Sequence, residues 1–479
     1  MAVLNNIEPK EVFHFFEEIC SIPHGSQNLQ KISDYLVSFA KERGIEVSVD
    51  QHLNVIMKAP GTAGYEDKDP IILQGHMDMV AVKNPDSDID LVNDGLRVKT
   101  DGEYVWADGT SLGGDDGIAV AYILALLDSK EIPHPPLEIV ITTDEEIGMV
   151  GAALLDLSGL KSKQMINIDN EEEGVFITSC AGGAGFRSEL PVKREEKTGV
   201  KCKVSVSGLL GGHSGEMIDK GRGNANIICC RVLHEMLDGV AFNIISVDGG
   251  SADNAIPSEC TSYIMVDEKD IDKAISSIKS SFDNIKGELE LKDPGLVISI
   301  VKEGNEKISC MDDKTTRDLL NMVEIMPDGV QVMSAAIEGL VETSLNMGMI
   351  TTLEDKVYVV QAIRSSVDSA KEALKRKIMD IAEMFGCKVL VAGEYPGWKF
   401  RQHSKLRDHM VEVYKKLYGK EPKLEAIHAG LECGILSNKI DDLDCISIGP
   451  DMQDIHSAKE KLSVQSTARV WEYLKAVLA

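Results

Sequence analysis

The chain has 479 residues, more than one hydrophobic core usually organises, so two domains or more are expected. Its 78 acids against 50 bases leave a net charge of −28, which disfavours nucleic acid and anionic membranes as partners, since both are bound through basic patches. With 43% hydrophobic and 27% charged residues the composition is that of a soluble globular protein, and no apolar run approaches the ~18–20 residues of a membrane span.

The opening MAVLNNIEPKEVFHFFEEIC lacks the basic-then-apolar layout of a signal peptide. Ten cysteines are scattered without CxxC spacing or a disulfide-like framework, so reduced thiols in a cytoplasm are expected.

Residues 1–186 alternate helix and strand. A helix covers about 9–19, and KISDYLVSFAKERG forms a second, closed by Gly44. Strand-like runs follow at EVSVDQHLNVIMKA, PIILQGHMD, LEIVITT and QMINIDN, with the apolar helix IAVAYILALLDS between two of them. This alternation predicts a layered α/β domain with a mostly parallel sheet.

From about 187 the texture changes. KCKVSVSG, a helix near 222–238, NIISVDGG, ECTSYIMVD, a helix near 269–286 and LVISIVKEG give the order βαββαβ of a ferredoxin-like unit. A partial echo follows: a helix near 313–324, strands VQVMSAAIEG and KVYVVQAIRSS, a helix near 366–385, and KVLVAGEY. Residues 187–399 are therefore expected to be an inserted α+β domain of two such units. After WKFRQHS, helices at 405–418 and 430–437, the strand DCISIG and a terminal helix complete the first domain as 1–186 plus 400–479.

Five polar clusters fall in suggestive places. QGHMD, TTDEE, NIDN and PDMQDIHS each follow an apolar strand, and GGDDG opens a helix. In an open parallel sheet these points converge on the carboxyl edge, where ligand sites form. Taken singly each has a plain reading: His76 and Asp78 as a loop pair, the acids of GGDDG and TDEE as complements to helix N-termini, Asp169 as a turn residue, His456 as one of 11 histidines.

Together they bring several carboxylates into one crevice, a repulsion that divalent cations would remove. Mixed imidazole and carboxylate donors suit zinc, with cobalt or manganese as substitutes. Two ions about 3.5–4 Å apart fit the count. His76, Asp115 and Asp169 would hold one, and Asp115, Glu146 and His456 the other. Asp78 would orient His76 through its second ring nitrogen. Glu145 is then free to act as general base on a water between the metals. Asp144 is expected to be a helix-start acid or a supporting one.

The stretches GHMDMV, ADGTSLGGDDGIA, TTDEEIGMVGA, INIDNEE and the late IHS resemble the di-zinc peptidases of the M20 clan. Among these the chain is most similar to the aminoacyl-histidine dipeptidases, the cytosolic nonspecific dipeptidases of bacteria, over essentially its whole length. The resemblance implies the same ligand and base assignments, two zinc ions per subunit and a cis peptide between Asp115 and Asp116. It implies that the inserted domain is a lid through which a homodimer forms. It further implies that His213 of GLLGGHSG polarises the scissile carbonyl, that Asn254 hydrogen-bonds substrate, and that Arg364 holds a free substrate carboxylate. HAGLECG resembles a substrate-binding loop, with Gly430 and Glu432 as candidates.

The expected activity is hydrolysis of dipeptides, Xaa-His included. The alternatives are a tripeptidase, a carboxypeptidase or an N-acyl amino acid deacylase of the same kind. A non-catalytic metal-dependent binding protein would have lost a ligand or the base, and none is lost.

Overall fold

The computed structural model describes residues 3–479. They divide into two compact units: the first runs to Cys180 and resumes at Trp398–Ala426 and Leu431–Ala479, and the second comprises Ala181–Gly397 with Ile427–Gly430.

The first unit is built on an eight-stranded sheet. Its order is Glu46–Val49, Val55–Ala59, Leu137–Thr142, Ile71–His76, Gln164–Asn167, Asp444–Ser447, Val175–Cys180 and Lys423–Ile427. The third to sixth of these pair in parallel. Glu46–Val49 and Val55–Ala59 form an antiparallel hairpin at one edge, so EVSVDQHLNVIMKA is two strands and the sheet is more mixed than simple alternation implies. Ile71–His76 and Leu137–Thr142 are buried at every position. Covered on both faces, such strands read as near-continuous apolar runs.

The helix Gly114–Asp128 is buried from Asp116 through Leu126, the behaviour of a helix that is apolar all round. It packs on Ile71–His76 and on the helix Lys10–Cys20. Tyr122 stacks on Trp471 of the terminal helix at 5.9 Å and donates its hydroxyl to the Thr467 carbonyl at 2.9 Å. A small four-stranded sheet, which the sequence reading had not identified, joins Val98–Thr100, Tyr104–Ala107, Lys461–Ser463 and Met452–Gln453. Met452–Gln453 and Lys461–Ser463 pair antiparallel, which puts His456 in the loop of a hairpin.

In the second unit one continuous sheet carries both ferredoxin-like repeats. Val297–Met311, Arg194–Ser207, Cys260–Val266 and Phe242–Gly249 lie side by side, antiparallel throughout, with helices Ala225–Met236 and Ile271–Leu289 completing the expected βαββαβ. Val341–Thr352, Lys356–Ser365, Gly182–Pro191 and Lys388–Tyr395 repeat that spatial order with helices Asp313–Ile325 and Asp368–Met384. The two halves join at the pair Gly249–Ile350.

The first strand of the second repeat, Gly182–Pro191, thus precedes the whole of the first repeat. The expected boundary at 187 cuts through it, which is why the second repeat read as a partial echo. The expected strand VQVMSAAIEG ends at Met333, and the main strand there is Val341–Thr352. Ile427–Gly430, expected in the first domain, belongs to the second unit: the Ala181 N–H donates to the carbonyls of Ile427 and Ala429 at 3.2 and 3.0 Å. Among the described residues no helix is long and apolar enough to cross a membrane, and all ten cysteines are free thiols.

Candidate metal and active site

The site of the first unit forms where its parallel strands end. His76 is the last residue of its strand and is buried. Its Nδ1 lies 3.0 Å from the Asp78 carbonyl oxygen and 3.5 Å from Asp78 Oδ1. An N–H at Nδ1 leaves the lone pair on Nε2, which faces Asp115 Oδ1 at 3.2 Å and Asp169 Oδ1 at 3.7 Å. Gly75 is required just before it, because a Cβ there would stand 2.4 Å from Asp116 Oδ2 and 2.7 Å from Ala119 Cβ. That Asp116 oxygen accepts the His76 N–H at 3.1 Å.

Asp115 and Asp116 depart from helical geometry within Gly114–Asp128, and the peptide bond between them is cis. The loop before them is held by Glu460, which carries no sequence signal and was missed. One Glu460 oxygen accepts the N–H groups of Leu112 and Gly113 at 2.7 and 3.1 Å; the other accepts those of Gly114 and Asp115 at 2.8 and 3.4 Å. Gly113 has φ +67°, and a Cβ on it would press on Met79 Sδ at 2.9 Å, so the GG pair lets this loop close.

The DEE turn is braced by Asp78. Its Oδ1 accepts the Glu145 N–H at 3.0 Å, and its Oδ2 accepts the Glu146 N–H at 3.3 Å and the Ser26 hydroxyl at 2.8 Å. Asp78 therefore ties the turn to the His76 strand, beyond orienting the imidazole. Asp144 takes up the left-handed conformation at φ +51° and accepts the Gln27 N–H at 2.6 Å. It is a turn residue, with the next helix starting only at Val150.

His456, also left-handed at φ +59°, places Nε2 3.1 Å from Asp115 Oδ2 and 3.1 Å from Glu146 Oε2. Asp115 thus turns one carboxylate oxygen to each imidazole, with Asp169 beyond one and Glu146 beyond the other. Ligand atoms about 2.0–2.1 Å from a tetrahedral zinc stand about 3.3 Å from each other, and the 3.1–3.7 Å separations lie around that value. Glu146 Oε1 is buried with no hydrogen-bond partner, as an unfilled donor position would be. The donor set fits two metal ions sharing Asp115. Asp116 also lies near His76 and Asp169, but one of its oxygens is already taken by the His76 N–H.

Burial and mutual repulsion shift the proton affinities of these groups. Burial raises the Asp169 carboxyl to about 6, with Asp115 and Glu146 adding repulsion. Burial likewise raises Glu145 well above the ordinary range, reinforced by Asp169, Glu432 and Glu146. The Asp115 and Glu146 carboxylates push His456 up to about 10. Glu171, unremarked in the sequence, is raised to about 7 by burial and by Asp115 and Asp169. Glu145 lies among the ligands, its carboxylate close to His76 and Glu146. Glu432 is fully buried.

The second unit gathers its own candidates. Gly212–His213 pairs with Ala255–Ile256, so GLLGGHSG and GGSADNAIPSE meet, and the Ser214 N–H donates to the Asn254 carbonyl at 2.8 Å. Arg364 Nη2 lies 3.5 Å from His213 Nε2, and Nη1 lies 3.5 Å from the Tyr395 hydroxyl. Asn254, Arg364 and Tyr395 line a cavity of about 500 Å3 together with Gly183 and Gly185. A Cβ on Gly183 would meet the Tyr395 ring at 2.6 Å. Gly430 belongs to this unit, whereas Glu432 belongs to the first, so HAGLECG is divided between them. His428, missed in the sequence, stands 2.7 Å from the Ser344 hydroxyl and is lowered to about 4, by burial first and then by the Arg364 charge.

The model of peptidase family M20/M25/M40 matches residues 72–479. The chain belongs to this family. It is 36% identical over 480 residues to the cytosol non-specific dipeptidase of Escherichia coli K12, covering 100% of this chain and 99% of that one. The crystal structure of aminoacylhistidine dipeptidase from Vibrio alginolyticus superposes with TM-score 0.95 at 36% identity, over 99% of this M20 chain and 97% of that one. Aminopeptidase PepT from Bacillus cereus shares the fold, with TM-score 0.57 at 16% identity over 98% of each chain.

Proposed function

We propose that this M20 chain is a two-metal dipeptidase that hydrolyses unblocked dipeptides, Xaa-His among them, with Glu145 as general base. The observation that carries the metal chemistry is the single carboxylate of Asp115 facing an imidazole Nε2 on each side. Full-length similarity to the two dipeptidases supports the substrate class. Zinc is the metal that the nitrogen and oxygen donors favour, with cobalt or manganese able to replace it. His76, Asp115 and Asp169 would hold one ion, and Asp115, Glu146 and His456 the other. When bound, the ions polarise water and the peptide carbonyl and bring the pKa of that water toward neutrality.

The chain's own groups do the rest. Glu145 accepts the proton of the attacking water and returns it to the departing amine. Asp78 keeps His76 and the Glu145–Glu146 turn in fixed relation, as its contacts to both support. Arg364, with its fork open at an unpartnered Nε, would take the free carboxylate of the substrate. Asn254 would hydrogen-bond the substrate, Gly430 would contact it, and His213 would support its carbonyl oxygen. Small peptides as substrates, a cytoplasmic setting and a homodimer formed through the second unit belong to the same reading.

Glu145→Gln tests it. The variant should keep the wild-type content of bound zinc while kcat on dipeptides falls about 10²–10⁴-fold. Retained turnover, or loss of zinc along with activity, would remove Glu145 from the role of base.

A further inference from the structure

Beneath the site lies a network of side chains that the mechanism above does not use. Glu432 opens the helix Glu432–Lys439 and is fully buried. Its Oε2 accepts the Gln74 amide at 2.5 Å and the Thr142 hydroxyl at 2.6 Å. Gln74 in turn accepts the Asn167 amide on Oε1 at 2.6 Å. Gln74, Thr142 and Asn167 are each 0% exposed, so bulk water does not reach these bonds.

The three residues stand on the three adjacent parallel strands that carry the site. Gln74 precedes His76 by two positions, Asn167 precedes Asp169 by two, and Thr142 is followed by the DEE turn. Gln74 and Asn167 are opposite each other in the ladder, as are His76 and Thr142. Backbone bonds continue past them: Met77 N–H to the Thr142 carbonyl and Ile168 N–H to the Gln74 carbonyl, both at 2.9 Å. A ladder fixes strands edge to edge, but at its end the residues that project onto a ligand have lost their next rung. A buried carboxyl group that gathers a donor from each of two strands, and a third strand through Gln74, restores that constraint.

We propose that Glu432 is a positioning residue that fixes the His76–Asp169 half of the metal centre through Gln74, Thr142 and Asn167, and that it is not a substrate contact. The ligands of the other ion have further supports outside this network: Asp115, which both ions would share, is held by the Glu460 loop, Glu146 by Asp78 at its N–H, and His456 by the hairpin Met452–Ser463. Loss of Glu432 therefore acts on one ion more than on the other. The inference rests on the two-metal reading given above.

The test is a zinc titration of chelator-treated protein, full length, on wild type and the variants His76→Ala, Glu432→Leu, Glu432→Gln and Thr142→Val. Wild type should bind zinc in two steps, and the step lost in His76→Ala identifies the ion concerned. Glu432→Leu should weaken that step about 10-fold or more, the range found for partners one shell behind a ligand, while the other step stays within about threefold. Glu432→Gln, which keeps an acceptor oxygen for both donors, should restore it. Thr142→Val removes one donor and should weaken the same step less; it also carries the test if Glu432→Leu does not fold. Equal weakening of both steps, no weakening of either, or a Glu432→Gln no better than Glu432→Leu overturns the proposal. A wild type that fails to bind two zinc ions overturns the two-metal reading instead.

Discussion

Replacing Glu432 by Gln should flatten the pH dependence of the first unit's stability in metal-free protein. Burial pushes this carboxyl from its ordinary 4.5 up to about 8, and the nearby charge of His76 and the Thr142 hydroxyl only partly offset it. A native state that holds a proton more tightly than the unfolded chain loses stability as pH rises between the two values. One pH unit is worth about 1.4 kcal/mol, so the gap amounts to about 5 kcal/mol at most. That contribution is complete below about pH 4.5 and gone above about pH 8, and Gln, which does not titrate there, has none of it to lose. The stability of wild type relative to Glu432→Gln should therefore fall by up to about 1.4 kcal/mol per unit through this window. All three tryptophans, Trp106, Trp398 and Trp471, lie in the first unit, so fluorescence during urea unfolding reports that unit alone. Parallel curves for the two proteins from pH 5 to pH 8, within about 1 kcal/mol, would refute the reasoning.

Glu460→Ala leaves the buried N–H groups of Leu112, Gly113 and Gly114 without an acceptor. At about 1–3 kcal/mol for each, the first unit should lose at least about 3 kcal/mol in the same urea assay, with Glu460→Gln intermediate because one oxygen remains. Arg364→Ala should raise KM for dipeptides with a free carboxylate by about 10- to 100-fold and barely alter that for their C-terminal amides. Arg364→Lys should not restore it, because a point charge does not replace a planar fork.

The site's chemistry was readable because parallel strands place their ends at one edge. The residues of QGHMD, TTDEE and NIDN needed only that rule to be brought together, and the structure does bring them together. What escaped was of another kind. Glu460 and His428 act through backbone amides or a lone hydroxyl, contacts that leave no motif. The strand Val341–Thr352 escaped because SLNMGMITT, with Gly and Met in its middle, lacks the alternation that marks a strand. The interleaving of the two ferredoxin-like repeats escaped because Gly182–Pro191 is Gly-rich at its start and its partners lie far along the chain. Glu432 was readable as a polar residue at a helix start, but its burial against Gln74 and Thr142 depends on strand register, which one sequence does not display.

The grip of Glu460 on the loop before Asp115 spans 345 to 348 residues of chain. His456 stands equally late, 341 residues after Asp115. On the ribosome, where synthesis runs at about 5–20 residues per second, the second unit's sheet is complete at Tyr395, before the first unit's strands Lys423–Ile427 and Asp444–Ser447 and the whole hairpin of His456 are made. The inserted unit can therefore fold first, and the metal site closes only when the final segment arrives. A chain broken off early carries five of the six polar groups of the centre but neither the loop's anchor nor the second imidazole. Until those residues are made, Asp115 has an imidazole on one side only.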